Sequence, residues 1–242
     1  MAHKGEKLYE GKAKILYQTD DPTRLIQYFK DDATAFNAQK RGLINNKGVM
    51  NNHISSIIFQ FLTKEGIPNH YCERVSDREM LIKRCEIVPI EIVQRNLIAG
   101  SLAKRMGLEE GTALPFPLLE YYYKNDALGD PMVNRDHARA FQLATEDELQ
   151  VIDAIARRVN TFLTKYFDGL GILLVDFKLE FGRFRGGAKP EILLADEITP
   201  DGCRLWDKST HEKLDKDRFR HNLGRVEEAY QRVYRLVCAS MS

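Results

Sequence analysis

Hydrophobic and polar residues alternate in "LLVDFKLEFG", residues 173 to 182, where Val175, Phe177, Leu179 and Phe181 are interleaved with Asp176, Lys178 and Glu180. In an extended chain a period of two sends the two sets to opposite faces, so the pattern predicts a strand with one oily and one charged side. A polar, glycine-rich stretch, "GRFRGGAK", leads into a second apolar run, "EILLADEI", and the pair reads as a hairpin. Short strand patterns also mark the first third of the chain: "KLYEGKAKILYQT", "RLIQYFK" after the turn at Asp21 and Pro22, and "EMLIKRCEIV".

Helical periodicity appears elsewhere. "NNHISSIIFQFLTKEG" puts Ile54, Ile57, Ile58, Phe61 and Leu62 on one face, with Gly66 as its stop. "TEDELQVIDAIARRVNTFLTKYFDG" opens with a capping box of Thr145 and Glu148 and closes at Gly169. Its stripe of Leu149, Ile152, Ile155, Val159, Phe162 and Tyr166 reads as core. "IAGSLAKRMG" and "DKDRFRHNLGRVEEAYQRVYRLV" complete the predicted helices. The change of style near Glu86 to Pro89 divides the chain into a β-rich lobe, residues 1–87, and a larger α+β lobe, residues 88–242.

Composition narrows the class. With 242 residues the chain can bury a substantial core, and 43% hydrophobic with 29% charged residues excludes a disordered chain or a coiled coil. Lys and Arg number 36 against 35 for Asp and Glu, so no broad basic footprint for nucleic acid exists and any bound anion must be held locally. Cys72, Cys85, Cys203 and Cys238 form no C-x-x-C pair, which predicts free thiols in a reducing compartment. "MAHKGEKLYEG" lacks an apolar signal-peptide core, and no run approaches the roughly 18 apolar residues of a membrane span, so a cytoplasmic protein is expected.

Several chemistries are missing. Neither G-x-x-x-x-G-K-[ST] nor G-x-G-x-x-G after a strand occurs, H-E-x-x-H is absent, and the six histidines do not cluster at metal-ligand spacing. "AGSLA" around Ser101 lacks the second glycine of a nucleophile elbow.

What is present is charge in specific places. If the hairpin register is right, Glu180 and Asp196 face each other, and two carboxylates about 5 Å apart at an effective dielectric near 20 repel by about 3 kcal/mol. Lys178 supplies one offsetting charge; magnesium carried on nucleotide phosphates would supply the rest, the alternative being a solvated strand face. Lys12 and Lys14 lie two apart in "YEGKAKILY", on one strand face beside Gly11, and are either a phosphate grip or plain surface lysines. In "RNLIAGSLAKR" a helix starts near Gly100 and Ser101 with Arg95 upstream, which offers an anion site or simply an N-cap at Ser101. Arg204, after the Pro-Asp-Gly turn of "DEITPDGCRLWDKST", suits a phosphate or carboxylate, or else a surface ion pair. In "YYYKNDALGDPMV" the tyrosines read as packing, and Lys124 and Asp130 as candidate contacts to a polar substrate. Together these features fit Mg-ATP beside a second phosphorylated ligand.

Three segments in order, "VPIEIVQRNLIAGS" (88–101), "LVDFKLEFG" (174–182) and "DEITPDGCRLWDK" (196–208), resemble the signature segments of the phosphoribosylaminoimidazole-succinocarboxamide synthase (SAICAR synthetase) family, and the likeness runs from "KLYEGKAKILY" through "KLDKDRFRHNLG". The resemblance implies a two-lobed α+β fold of ATP-grasp and kinase-like arrangement. It also implies ATP-dependent joining of L-aspartate to the carboxylate of carboxyaminoimidazole ribonucleotide in purine biosynthesis, with ATP and Mg2+ and a homodimer. On matching positions it implies Lys12, Lys14 and Lys83 at ATP, Glu180 and Asp196 at magnesium, and Arg95, Ser101 and Arg204 at the 5'-phosphate. Asp176 and Lys178 would border the reacting carboxylate, and Lys124 and Asp130 would be open candidates for the remaining substrate. A small-molecule kinase and a non-catalytic nucleotide-binding protein are the rival readings. H-R-D-x-x-x-x-N and D-F-G are absent, which weighs against a protein kinase, and no charge is lost at the proposed metal and lysine positions, which weighs against a non-catalytic relative.

Overall fold

Five antiparallel strands build the first sheet in the computed structural model, which describes residues 3–35 and 39–241. They are β1 (Lys4–Glu10), β2 (Lys14–Thr19), β3 (Arg24–Phe29), β6 (Tyr71–Arg74) and β7 (Glu79–Lys83), in the spatial order β1-β2-β3-β7-β6. Between β3 and β6 run a small ladder of β4 (Asp32–Ala35) and β5 (Lys40–Leu43), and the helix α1 (Lys47–Lys64). "KLYEGKAKILYQT" is thus a hairpin rather than one strand. The Gly11 N–H donates to the Lys14 carbonyl at 2.8 Å, so Lys12 sits in the turn and does not share a strand face with Lys14. "EMLIKRCEIV" is also divided: β7 ends at Lys83, and the next strand starts at Cys85 in a different sheet.

The second sheet holds β8 (Cys85–Leu97), β9 (Ala113–Tyr123), β10 (Met132–Val133), β11 (Ile172–Phe184), β12 (Glu191–Ala195) and β13 (Cys203–Asp207). One edge of β11 pairs with β8, from Asp176 opposite Arg95 to Phe184 opposite Cys85. Its other edge is shared in succession by β13 and β12. The strict alternation expected along 173–182 is broken by a bulge between Leu174 and Asp176 against β13. A bulge inserts one unpaired residue and switches the parity of the faces. Phe177, Leu179 and Phe181 therefore point with Ile172 and Leu174 into the main core, while Val175 packs with Ala99 and Trp206 in a separate small cluster. Gly182 is required near the far end, because a Cβ there would lie 2.5 Å from Cys85 Cβ on the neighbouring strand.

The main core lies between this sheet and α1, α4 (Glu146–Gly169) and α6 (Val226–Ala239). α4 carries the expected capping box, Thr145 with Glu148, and its stripe is buried at Leu149, Ile152, Ile155 and Val159. Phe162 and Tyr166 pack at its margin, and Leu163 and Phe167 complete the face. Short helices α2 (Gly100–Met106), α3 (Arg135–Ala140) and α5 (Asp217–Arg220) connect the larger elements. The single helix predicted over "DKDRFRHNLGRVEEAYQRVYRLV" is two helices, α5 and α6. Asn222, Gly224 and Arg225 adopt positive φ between them, a left-handed interruption that no helix survives. Among the described residues no helix is long and apolar enough to cross a membrane.

Candidate active site

Asp176, Lys178 and Glu180 follow one another at alternate positions of β11, and the structure buries the two acids: Asp176 is 3% and Glu180 6% exposed, while the Lys178 side chain is half-buried. They feed two adjoining charged clusters. Lys178 Nζ bonds Glu180 Oε1 and lies 3.3 Å from Glu91 Oε1 and 3.4 Å from Asp196 Oδ2. Lys124 Nζ reaches the same Glu180 oxygen at 3.0 Å, and Lys14 Nζ bonds Asp196 and sits 3.0 Å from Glu197. Three ammoniums and four carboxylates are thereby interlocked.

Asp196 is not itself in the strand opposite Glu180. Ala195 pairs with Glu180, and Asp196 follows it with φ 62°, a left-handed residue that turns its carboxylate back toward Lys14 and Lys178. Burial acts to raise the Asp196 pKa, but Lys14 and Lys178 outweigh it and hold the carboxyl well below the ordinary range. Burial likewise disfavours the charged forms of Lys14 and Lys178, and their acidic neighbours more than offset it, so both stay protonated.

The second cluster surrounds a cavity of about 370 Å³. Arg95 is buried and fully engaged: Nε donates to Glu120 at 2.7 Å, Nη1 to Asp176 at 2.7 Å, and Nη2 to Ser101 Oγ at 3.0 Å and Tyr122 OH at 3.2 Å. Arg204 donates from Nη1 to both oxygens of Asp176, at 3.0 and 2.8 Å, and from Nε to Asp217 at 2.8 Å. Gly100, at φ 54°, makes room for it, since a Cβ there would meet the Arg204 Nη2 at 2.4 Å. Ser101 is not the N-cap of α2; Ala99 is, and the Ser101 hydroxyl is turned to Arg95. Arg95, Lys178, Arg204, Lys216 and Arg220 line the cavity against Glu91, Asp176 and Asp201, an excess of cations.

The remaining expected residues are dispersed. Lys12 pairs with Asp126 at 2.8 Å in exposed turns near Lys124. Lys83 makes no side-chain hydrogen bond or ion pair among the described residues; its ammonium lies 5.4 Å from the Phe184 ring centroid. Asp130 is occupied in its own loop, where its carboxylate accepts the Asn125 N–H at 2.8 Å. Lys124, expected at a polar substrate, instead joins the Glu180 cluster. Glu91, Glu120, Tyr122, Asp217 and Arg220 join the clusters without being among the residues expected from the sequence. Glu91 and Arg95 share the period-two face of "EIVQR", and Glu120 and Tyr122 that of "EYY", so continuing the strand pattern past Pro89 would have found them.

Glu180 and Asp196 present hard carboxylate oxygens, and among the described residues no group of three or more His, Cys, Asp or Glu forms a metal cage. Two carboxylates that leave coordination positions to phosphate oxygens is the arrangement magnesium ordinarily takes, so the donor set fits that ion.

Fold and site together define an α+β protein with two adjoining charged clusters, one of them lining a cation-rich cavity, along one strand. The chain belongs to the SAICAR synthetase family, whose profile matches residues 7–237. It is 59% identical over 229 residues to the phosphoribosylaminoimidazole-succinocarboxamide synthase of Novosphingobium aromaticivorans, covering 95% of this chain and 88% of that one. The Magnetococcus marinus enzyme of the same name is 58% identical, with 96% of each chain covered. Among solved structures, the Ehrlichia chaffeensis synthase superposes with TM-score 0.94 at 48% identity over 97% of this chain and 99% of that one. A SAICAR synthetase (Type-2) in complex with ADP superposes with TM-score 0.91 at 45% identity over 96% and 97%. The protein is accordingly an ATP-dependent ligase of purine biosynthesis that joins L-aspartate to carboxyaminoimidazole ribonucleotide, and neither rival reading is favoured.

Proposed function

We propose that β11 aligns the two halves of this reaction, the nucleotide at the Lys14–Lys178–Glu180–Asp196 cluster and the ribonucleotide in the arginine-lined cavity. The observation that supports it is the succession Asp176, Lys178, Glu180 on one strand, with Asp176 in the cavity, Glu180 in the other cluster and Lys178 touching both. In this reading Lys14, with Lys12 at the rim, holds the nucleotide phosphates, and Glu180 and Asp196 hold magnesium. Arg204 and Ser101, backed by Arg95, take the 5'-phosphate. Lys83 and Asp130 are left out of the assignment, and Lys124 moves to the Glu180 cluster. The two lobes, residues 1–87 and 88–242, close on the nucleotide between them, and the working form is a cytoplasmic homodimer, which sedimentation would test.

A carboxylate is a poor electrophile because its charge is delocalised. Transfer of the γ-phosphoryl group to one carboxylate oxygen of the ribonucleotide makes an acyl phosphate and releases ADP. The neutral amine of aspartate then attacks the carbonyl carbon, the C–O bond to phosphate breaks, and the nitrogen loses a proton to give the amide. Magnesium, when bound, supplies further neutralisation of the polyphosphate charge. Lys14 and Lys178 stabilise charge on the transferring oxygens, Asp176 orients Arg204, and closure of the two lobes keeps water from the acyl phosphate. No protein nucleophile is required, which accounts for the absence of a triad. Phosphate release measured with ATP and the carboxylated ribonucleotide, with and without L-aspartate, tests the reading: release that does not depend on aspartate would reject it.

A further inference from the structure

Among the described residues the Lys216 ammonium makes no hydrogen bond and no ion pair, although it lines the arginine-rich cavity. The other cations of the wall are all committed: Arg95 to Glu120 and Asp176, Arg204 to Asp176 and Asp217, Lys178 to Glu180, and Arg220 to Asp217 at 2.6 Å. Lys216 is the N-cap residue of α5, and the Arg220 N–H donates to its carbonyl at 2.9 Å. Residues four apart on a helical turn face the same way, and like charges so placed repel. Burial draws the Lys216 pKa down; Asp201 opposes the fall, and Arg220 and Lys47 add to it. A half-buried cation beside another cation, with no hydrogen-bond or ion-pair partner among the described residues, is an arrangement completed by an anion.

We infer that Lys216, with Arg220 beside it, is a substrate-contacting residue that binds a carboxylate of one of the acid substrates. The inference rests on the ligase reading above, in which Arg204 and Ser101 take the phosphate and the carboxylates of the substrates still need a cation. Two sources supply that group, L-aspartate and the ribonucleotide's own carboxylate.

Initial rates of the full chain carrying Lys216→Met, with each substrate varied in turn, decide the matter. The expected result is a rise of about tenfold or more in KM for one acid substrate, with KM for ATP within about twofold of the parent. A rise confined to aspartate identifies aspartate as the source; a rise confined to the ribonucleotide identifies its carboxylate. Lys216→Arg should recover most of the loss. The ligand-free melting temperature of Lys216→Met should be unchanged or higher, because the replaced cation has no partner to lose. Unchanged KM for both acids, a fall in kcat alone, or a lower melting temperature with all three KM values raised together would each overturn the inference. A parent protein without aspartate-dependent phosphate release would sink the ligase reading itself, whereas a silent Lys216→Met in an active protein sinks only this assignment.

Discussion

Lys124 and Lys178 both reach Oε1 of Glu180, which leaves Oε2 without a protein partner among the described residues. A carboxylate with one oxygen neutralised and the other open can accept a cation without first breaking its ion pairs. Glu180→Gln or Asp196→Asn should lower kcat by about 100-fold or more while the fold is retained, as judged by circular dichroism and thermal melting. Near-normal turnover in both variants would remove the metal assignment. The half-buried Arg204 is more available than the buried Arg95, which engages Nε, Nη1 and Nη2 with protein partners. For Arg204→Ala the KM of the ribonucleotide should rise about tenfold or more with that of ATP unchanged, and an equal loss of both would contradict the phosphate role. Lys178, Glu180 and Arg204 were legible as candidates because unlike charges recur beside apolar residues at strand spacing. Lys216 was not, since a lysine in "KLDKDRF" looks like any surface lysine until the cavity brings it beside Arg220.

α4 illustrates the element that sequence alone describes well: a Thr145–Glu148 box, a continuous apolar stripe and an end at Gly169 all agree. Thr145→Ala removes the hydroxyl that accepts the Glu148 N–H and should destabilise the protein by about 1 kcal/mol in denaturant titration, with unchanged specific activity. A loss much below that would mean that the helix end is held by packing instead. β8 was legible only as far as Val88, at the end of "EMLIKRCEIV", and β9 was not read as a strand; each contains proline. Pro89 is tolerated where the β8–β11 ladder is irregular, between the pairs Glu180–Glu91 and Gly182–Ile87, and Pro115 and Pro117 precede the regular pairing of β9 that begins at Leu118. Both positions spare the ladder a missing donor, a fact that depends on register and is invisible in one strand's sequence. The interruption between α5 and α6 did have a visible signal, the Asn222 and Gly224 of "HNLG", which the apolar stripe on either side concealed.

Across the whole molecule, buried charge ties separate elements together. Lys47 on α1 bonds Asp201 at 2.5 Å, and Tyr230 on α6 donates to the same carboxylate at 2.6 Å, so both helices hold the turn at the cavity wall. Asp215 and Asp217 adjoin beside Arg204, the Asp217 N–H donating to the Asp215 carboxylate at 2.7 Å. Burial and the neighbouring Asp217 push the Asp215 carboxyl up to about 7. Asp217, despite its own burial, is brought down to about 2 by Arg204 and Arg220. By linkage, the Asp217 contribution is present above the ordinary value of 3.8 and lost as pH falls toward 2, whereas that of Asp215 is complete below 3.8 and lost as pH rises through about 7. Through Asp215 the melting temperature should therefore decline from about pH 4 to 7 and level off above, and Asp215→Asn should flatten the decline; an unaltered slope would mean that another group carries the proton. The change of element style near Glu86 to Pro89 was legible in the sequence, but the separation into two sheets at Arg84, inside the single strand read over "EMLIKRCEIV", and the helical backing of the second sheet come from tertiary pairing. Asp176 and Glu180 are four residues apart on an extended strand, about 13 Å at the usual rise per residue. β11 is thus a ruler, and on the proposed assignment it would fix how far apart the two ligands sit, so that a shortened ribonucleotide would leave its reacting end short of the nucleotide.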